Sequence, residues 1–551
     1  MTRGVRVVAW AAVAILAIAP LAMLFAQGAS SLGAIAHQSS FLKTTLNTIT
    51  LGLLVALFSL VLGASLAAVE ATMPPAGAAF VFPLVLVPYL LPPYLTGLAW
   101  NALLQQNGLV FLATGWQPAW ATALLYSLPG IALVMASHLY PLVYLMFRGY
   151  QQNRSARLLW SARVHGASQA YAFRRVVIPD VLPVVAATSL LTFIAGIEEF
   201  GVPSVLGGYA GITVLTTQVQ EVTAVWPVDL GKGAAYSLVL LVLAAGAWVP
   251  FRIFSRERTT DASAARRSGK TSLWGTCAFS LCGLVTAVVP VAAVITLSLM
   301  RAQTNGLRAG NFTFAHFAAI AAPESGARAA FWTSLQLAFE TTLAAAILGF
   351  AVAYALRCGG RGTVALDLAS ALPNAAPGIV LAVGIILVWN APWNPLPVYN
   401  HLGILLVGYT TVVFPTALRY AQLGLAKIPA RWEWAAAVHG ADPLRTLWAV
   451  VVPLARPAVV AGMPILFGLA MRELVMSIML QPPGVQTIST YVLAQFEQGD
   501  IGNSMAMAVT GVFTSAAIIG AFEFFGSKGD ADAENVNYAR RAAHAGNGII
   551  G

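Results

Sequence analysis

Trp160-Ser161-Ala162-Arg163-Val164-His165-Gly166-Ala167 is answered downstream by Trp434-Ala435-Ala436-Ala437-Val438-His439-Gly440-Ala441. The offset, 434 minus 160, is 274 residues, and it persists beyond the octapeptide. Pro179 matches Pro453, Pro183 matches Pro457, and Glu199 matches Glu473. Chance does not hold one register over so many positions. The chain of 551 residues is therefore two copies of one unit.

The surroundings of the octapeptide show what kind of unit it is. Hydrophobic residues make up 58% of the chain and charged residues 9%, against roughly 25% charged in a soluble domain. The apolar residues run in blocks of about 18 or more, enough to cross a ~30 Å hydrocarbon layer as helices. Six blocks fill the first half, at about 6–26, 47–69, 79–100, 122–147, 183–206 and 234–252. Six fill the second, at about 273–299, 332–356, 366–389, 402–423, 458–480 and 503–525. The expected fold is all-α, a polytopic membrane protein of about 12 transmembrane helices in two tandem six-helix repeats. Residues 1–254 read as the first membrane domain, 255–272 as a linker, 273–526 as the second membrane domain and 527–551 as a disordered tail. Phe25-Ala26-Gln27 loosely resembles a signal-peptidase site. The first block is nevertheless about 20 residues long, beyond a signal core of roughly 7–15, so an uncleaved helix is expected.

The net charge of +10 does not mark a nucleic-acid binder. Arg148, Arg154, Arg157, Arg163, Arg174 and Arg175 flank the first octapeptide, and Lys427, Arg431 and Arg445 surround the second. An even number of spans per repeat brings both octapeptides to one face, and the concentration of basic residues makes that face cytoplasmic. Both termini are then expected in the cytoplasm. The linker, RIFSRERTTDASAARRSGK from Arg252 to Lys270, is basic and has no apolar period. Its AARRSGKT stretch, Ala264 to Thr271, has the end of a phosphate-binding loop without the preceding strand or the glycines, and reads as coincidence. Cys277, Cys282 and Cys358 lack paired spacing, so neither a disulfide framework nor a metal site is expected.

Each repeated loop reads as helix, turn, helix. Residues 155–165 and 429–439 are good helix formers, and Gly166 and Gly440 permit a left-handed turn. A second short helix should end at Pro179 or Pro453, before the next span begins. A structured hairpin present twice on the cytoplasmic face suits two identical partners, each taking a helix into a groove. A plain connector would not require tryptophan, histidine and glycine at fixed spacing in both copies.

Gly166, Val176, Ile178 and Pro179, with Gly440, Val450, Val452 and Pro453, resemble the EAA loop of bacterial ABC importer permeases. The resemblance extends over nearly the whole chain and implies a type I ABC permease fold in which the two usual subunits are fused. It implies two copies of a cytoplasmic ABC ATPase docking on coupling helices, a periplasmic substrate-binding protein, and a multi-pass location in the bacterial inner membrane. ATP would be used by the partner, with no cofactor bound by this chain. Docking residues implied in the first loop are Trp160, Ala162, His165, Gly166, Ile178 and Pro179. In the second they are Glu433, Trp434, Ala436, His439, Gly440, Val452 and Pro453. The chain departs from the family at one point. The glutamate expected six residues before the glycine is Trp160 and Trp434 here, and Glu433 stands one place earlier in the second copy alone.

Ile197-Glu198-Glu199-Phe200-Gly201-Val202-Pro203, with Leu206-Gly207-Gly208 and Val214-Leu215-Thr216-Thr217, is similar to fused ferric-iron importer permeases. Met471-Arg472-Glu473-Leu474 and Leu480-Gln481-Pro482-Pro483-Gly484 look like the same group. This makes ferric iron the expected solute. Importers of 2-aminoethylphosphonate, thiamine or polyamines share much of the pattern and are the alternatives. A 12-helix secondary transporter is the rival from another class; it would need ion-coupling carboxylates or broken helices near the midplane.

No catalytic constellation and no metal cluster is expected. His165 and His439 have no carboxylate or cysteine at ligand spacing, so packing or interface hydrogen bonding is their expected role. Glu198, Glu199, Arg472 and Glu473 read as lying inside the fifth and eleventh spans, where each charge costs ~2.5–3.5 kcal/mol. Two readings stay open for them. Arg472 could pair with a glutamate to fix helix packing, or Glu199 and Glu473 could face each other as a gate across a central translocation path.

Overall fold

The computed structural model describes residues 2–153, 161–162, 164–254, 271–396 and 398–522. Trp160, the linker stretch 255–270 with most of its AARRSGKT sequence, and the tail 527–551 lie outside the described residues. Among the described residues the chain is helical, with two isolated β-bridges and no strand. Ten helices among those residues are long and apolar enough to cross a membrane, and two bent helix pairs, each counted as one span, bring the number to 12.

In the first half the elements are α1 (Gly4–Ala36), α2 (Ser39–Thr72), the bent pair α3 (Ala78–Leu90) and α4 (Pro93–Leu104), and α5 (Leu128–Asn153). They continue with α6 (Ala170–Glu198), α7 (Gly201–Ala210), α8 (Leu215–Ala224) and α9 (Leu230–Phe254). The second half opens with α10 (Leu273–Leu299), α11 (Gly326–Arg357), the bent pair α12 (Thr363–Ala375) and α13 (Gly378–Trp389), and α14 (Leu402–Ala426). It closes with α15 (Arg431–Val438), α16 (Pro443–Met471), α17 (Val475–Leu480), α18 (Ile488–Glu497) and α19 (Ile501–Phe522).

Proline accounts for most departures from a straight bundle. The blocks read as single spans at 79–100 and 366–389 are each broken, bending by 99° and 111°. Pro92 and Pro377 stand at the breaks with φ −59° and −53°, and neither can donate an N–H to the turn before it. The spans read at 183–206 and 458–480 also end early, at Glu198 and Met471, and restart as the short helices α7 and α17. Pro179 and Pro453, by contrast, do not end a helix. A π-helical turn precedes each, at Phe173–Val177 and Leu447–Val451, and the helix continues through the proline into the membrane. A ring at position i collides with the carbonyl at i−4 in an α-helix, and the wider π turn carries that carbonyl aside. The same device precedes Pro20 and Pro290 in the first helix of each half.

The two halves interlock by exchanging their first helices. The α1 helix packs against α11 and α13 of the second half as well as α9, while α10 packs against α2, α3 and α4 of the first. Small residues permit the close approach. A Cβ built on Gly384 would lie 2.5 Å from the Pro20 carbonyl oxygen, and one on Gly283 the same distance from Leu84. Within each half, Gly63 and Gly349 play equivalent parts, seating α2 on α5 and α11 on α14. Each half also fastens its short helix with a hydroxyl from its second span. Thr48 Oγ1 accepts the Leu215 N–H at 2.8 Å and Ser334 Oγ accepts the Ile488 N–H at 2.7 Å.

Candidate functional site

Two places carry polar chemistry that the bundle itself does not require: the repeated hairpins and the zone where broken helices meet. In the hairpins, Gly166 and Gly440 have φ of 78° and 77°, the left-handed turn expected of them. The turns close identically. Ala167 N–H donates to the Ala162 carbonyl and Ala441 N–H to the Ala436 carbonyl, both at 3.0 Å. The Nδ1 atoms of His165 and His439 lie 2.7 and 2.8 Å from the carbonyls of Ser161 and Ala435, one turn back. In the Nδ1–H tautomer each ring donates to an end carbonyl of its helix, so the recurring histidine helps close the turn.

Apolar side chains at the hairpins point to solvent. Val164 is 80% exposed, Val438 85% and Trp434 70%. No residue of α15 is buried. Ile178 and Pro179 are exposed at the start of the following helix, whereas Val452 is half-buried. Glu433, on the first turn of α15, is held by Arg357 from α11: Nε lies 2.9 Å and the second terminal nitrogen 2.8 Å from Glu433 Oε1.

The other place lies where the breaks of the two halves meet. An α-helix running through Leu90 would give the carbonyls of Pro88 and Tyr89 the N–H groups of residues 92 and 93, and both are prolines. Leu91 N–H to the Val87 carbonyl is the last bond of α3. The orphaned carbonyls are taken by side chains. His138 Nδ1 lies 2.7 Å from Pro88 O, and an Arg472 terminal nitrogen donates to Tyr89 O at 3.2 Å. Arg472 thus reaches from the second half into the first. No glutamate lies within ion-pair distance of it among the described residues, so the Arg472–glutamate pair is not formed.

Glu199 and Glu473 act as caps. Glu199 Oε1 accepts the Gly201 N–H at 2.8 Å, and Glu473 Oε1 accepts the Met476 N–H at 2.9 Å. Each carboxylate therefore satisfies a donor at the start of a short helix and sits at the positive end of its dipole. These residues lie in the breaks, not inside spans. The Glu473 carbonyl collects further donors, from Ser477 Oγ at 3.0 Å and Ser489 Oγ at 2.7 Å. The Arg472 and Glu473 side chains both act electrostatically on Glu199, so the three charges share one neighbourhood. Glu198, half-buried beside them, makes no hydrogen bond or ion pair among the described residues. Nowhere among those residues do three His, Cys, Asp or Glu side chains converge as a metal site. His138 escaped the sequence reading. Its signal was the Pro92-Pro93 pair, which strips two carbonyls of donors and requires substitutes.

Broken helices are also what a secondary transporter would show, so architecture alone does not separate the two classes. Comparison with known proteins does. The family model described as "Binding-protein-dependent transport system inner membrane component" matches residues 59–256 and 345–526, once in each half. A putative 2-aminoethylphosphonate transport system permease protein of Salmonella paratyphi A is 30% identical over 218 residues, 39% of this chain and 81% of that relative. A ferric transport system permease protein of Actinobacillus pleuropneumoniae is 23% identical over 457 residues, 80% of this chain and 64% of the relative. A putrescine transport system permease protein of Escherichia coli is 26% identical over 170 residues, 30% of this chain and 60% of the relative. With its helical spans and two matched repeats, this multi-pass inner-membrane chain belongs to the binding-protein-dependent transport system inner membrane components, the permeases of ABC importers.

Proposed function

We propose that the chain forms the whole membrane path of an importer for ferric iron, loaded by a periplasmic substrate-binding protein. It is driven by two copies of a cytoplasmic ABC ATPase, which consume the ATP. The hairpins at 161–179 and 431–453 are the docking elements, and both termini lie in the cytoplasm. One observation carries the docking reading: two hairpins with the same left-handed glycine and the same closing bonds leave Val164, Trp434 and Val438 bare to solvent. Valine exposed at the same position of both copies, with Trp434 bare beside it in the second, suits two like grooves better than it suits water.

For the solute, the ferric relative is aligned over 80% of this chain, whereas the 2-aminoethylphosphonate relative is aligned over 39%. Glu198, Glu199, Arg472 and Glu473 then line the path, three carboxylates to one cation, a balance that suits a positively charged solute. The test is reconstitution in proteoliposomes with the ATPase and the binding protein. ATP-dependent accumulation of radiolabelled iron is the expected result. Accumulation of 2-aminoethylphosphonate, thiamine or putrescine in its place overturns the assignment of solute while leaving the importer class intact. Failure of the ATPase to co-purify overturns the docking role of the hairpins.

A further inference from the structure

We propose that Arg357 locks the second docking hairpin to the membrane bundle, so that a displacement of that hairpin is carried into the spans; this rests on the docking reading above. Arg357 is the last residue of α11. Its guanidinium holds Glu433 Oε1 through two nitrogens and donates to the Ile428 carbonyl at 2.7 Å and to the Leu425 carbonyl. One planar group therefore joins three elements: the end of α11, the end of α14 and the first turn of α15.

The chemistry of the joint is favourable at each contact. The carbonyls of Leu425 and Ile428 lie in the last turn of α14 and just past its C-terminal cap, where a cation is favoured. Glu433 occupies the first turn of α15, where a carboxylate is favoured. A guanidinium presents its donors in a fixed fork, so these contacts set direction as well as distance. The side chains of Arg357 and Glu433 are only 20% and 25% exposed, which limits screening by salt. A displacement of α15 by a docked partner is thereby passed to α11 and α14.

The sequence of the first half carries neither member of this joint at the corresponding positions. In the register that pairs Gly63 with Gly349, Arg357 corresponds to Ala71, and at the offset of the octapeptides Glu433 corresponds to Leu159. Among the described residues, contacts at this place of the first half run from span to span. Glu70 pairs with Arg148 at 3.1 Å and accepts from the Tyr144 hydroxyl at 2.7 Å, joining α2 to α5. Tyr150 donates to Asp180 and so joins the two spans that flank the hairpin. Gly424 and Leu454 stand at the corresponding places of the second half, so this fastening is not repeated there. The hairpins share a turn, and the Arg357–Glu433 joint is built from residues that the corresponding positions of the first half do not carry.

The experiment uses the full chain in complex with its ATPase, with a single reactive cysteine placed at Val164 or at Val438 and cross-linked to the ATPase. In the parent chain both positions should cross-link. Arg357→Met should lower the yield at 438 several-fold, leave the yield at 164 unchanged, and raise the ATP hydrolysed per solute imported. Glu433→Ala keeps the carbonyl contacts of Arg357, removes its acceptor on α15 and should reproduce the selective loss at 438, which covers the case that Arg357→Met fails to fold. The double variant should be no worse than the more severe single one. Equal loss at both positions, no loss at either, or additive effects of the two substitutions would overturn the proposal. Cross-links at neither position in the parent chain would instead overturn the docking reading, and this proposal with it.

Discussion

Arg472→Met separates a structural cap from a solute-binding charge. The substitution keeps an unbranched apolar stem but removes the donor that satisfies the Tyr89 carbonyl at 3.2 Å. Pro93 cannot replace it, having no N–H. Leaving one carbonyl unsatisfied in a partly buried place costs about 1–3 kcal/mol. No longer burying a guanidinium without an ion-pair partner offsets part of this, whereas the loss of the cation near Glu199 adds to it. The net expectation is destabilisation of about 1–3 kcal/mol, a factor of roughly 5–150 in the folding equilibrium. Denaturant unfolding in detergent micelles measures it. His138→Leu should behave alike, because it orphans the Pro88 carbonyl. Arg472→Lys keeps a charged donor and should lie close to the parent. Should Arg472→Met prove as stable as the parent while uptake is abolished, the cap reasoning is refuted and Arg472 serves the solute.

Glu199→Gln and Glu473→Gln keep an acceptor for the Gly201 and Met476 N–H groups and lose only charge, so the protein should stay folded while iron uptake falls; unfolding midpoints and uptake are measured side by side. At Gly440, an added Cβ meets nothing within 4 Å, so strain comes from φ alone. Gly440→Ala should cost about 1–2 kcal/mol of turn stability, and Gly440→Val more, with ATPase co-purification falling in that order. Reporter fusions at Ser263 and Asp530 should both read as cytoplasmic; an external signal at Ser263 would remove the parallel arrangement of the repeats.

The parts of this architecture legible in the sequence were those set by local chemistry. Twelve apolar blocks follow from hydropathy, and the left-handed turns at 166 and 440 follow from glycine in a recurring frame. The breaks at Pro92 and Pro377 were hidden because an apolar window averages over residues and does not register a missing N–H. Pro179 and Pro453 were misread for the opposite reason. Proline stops an α-helix, but a π turn before it lets the helix run on. Assuming unbroken spans then placed Glu199 and Glu473 inside helices, when they cap helix starts. The Arg357–Glu433 joint spans 76 residues and joins elements that only the folded bundle brings together, so no local pattern announces it.

The fusion of two halves has a consequence that a dimer of identical subunits could not reach. Arg472-Glu473 corresponds, at the offset of the octapeptides, to Glu198-Glu199. Identical halves would place either two arginines or four carboxylates at the meeting of the breaks, and four carboxylates in one neighbourhood repel strongly. Fusion allows one arginine, which also supplies the donor that Tyr89 needs. Charge balance and capping are thereby combined in a single side chain, and they can be pulled apart. The exchange Glu198→Arg with Arg472→Glu conserves the sum of charges. It leaves the Tyr89 carbonyl without its donor and sets a carboxylate at 472, where the guanidinium had been. If capping dominates, the exchanged protein should unfold at least as readily as Arg472→Met, by the same denaturant measurement. If it is as stable as the parent, the arginine is needed only for the balance of charge, and which half carries it is immaterial.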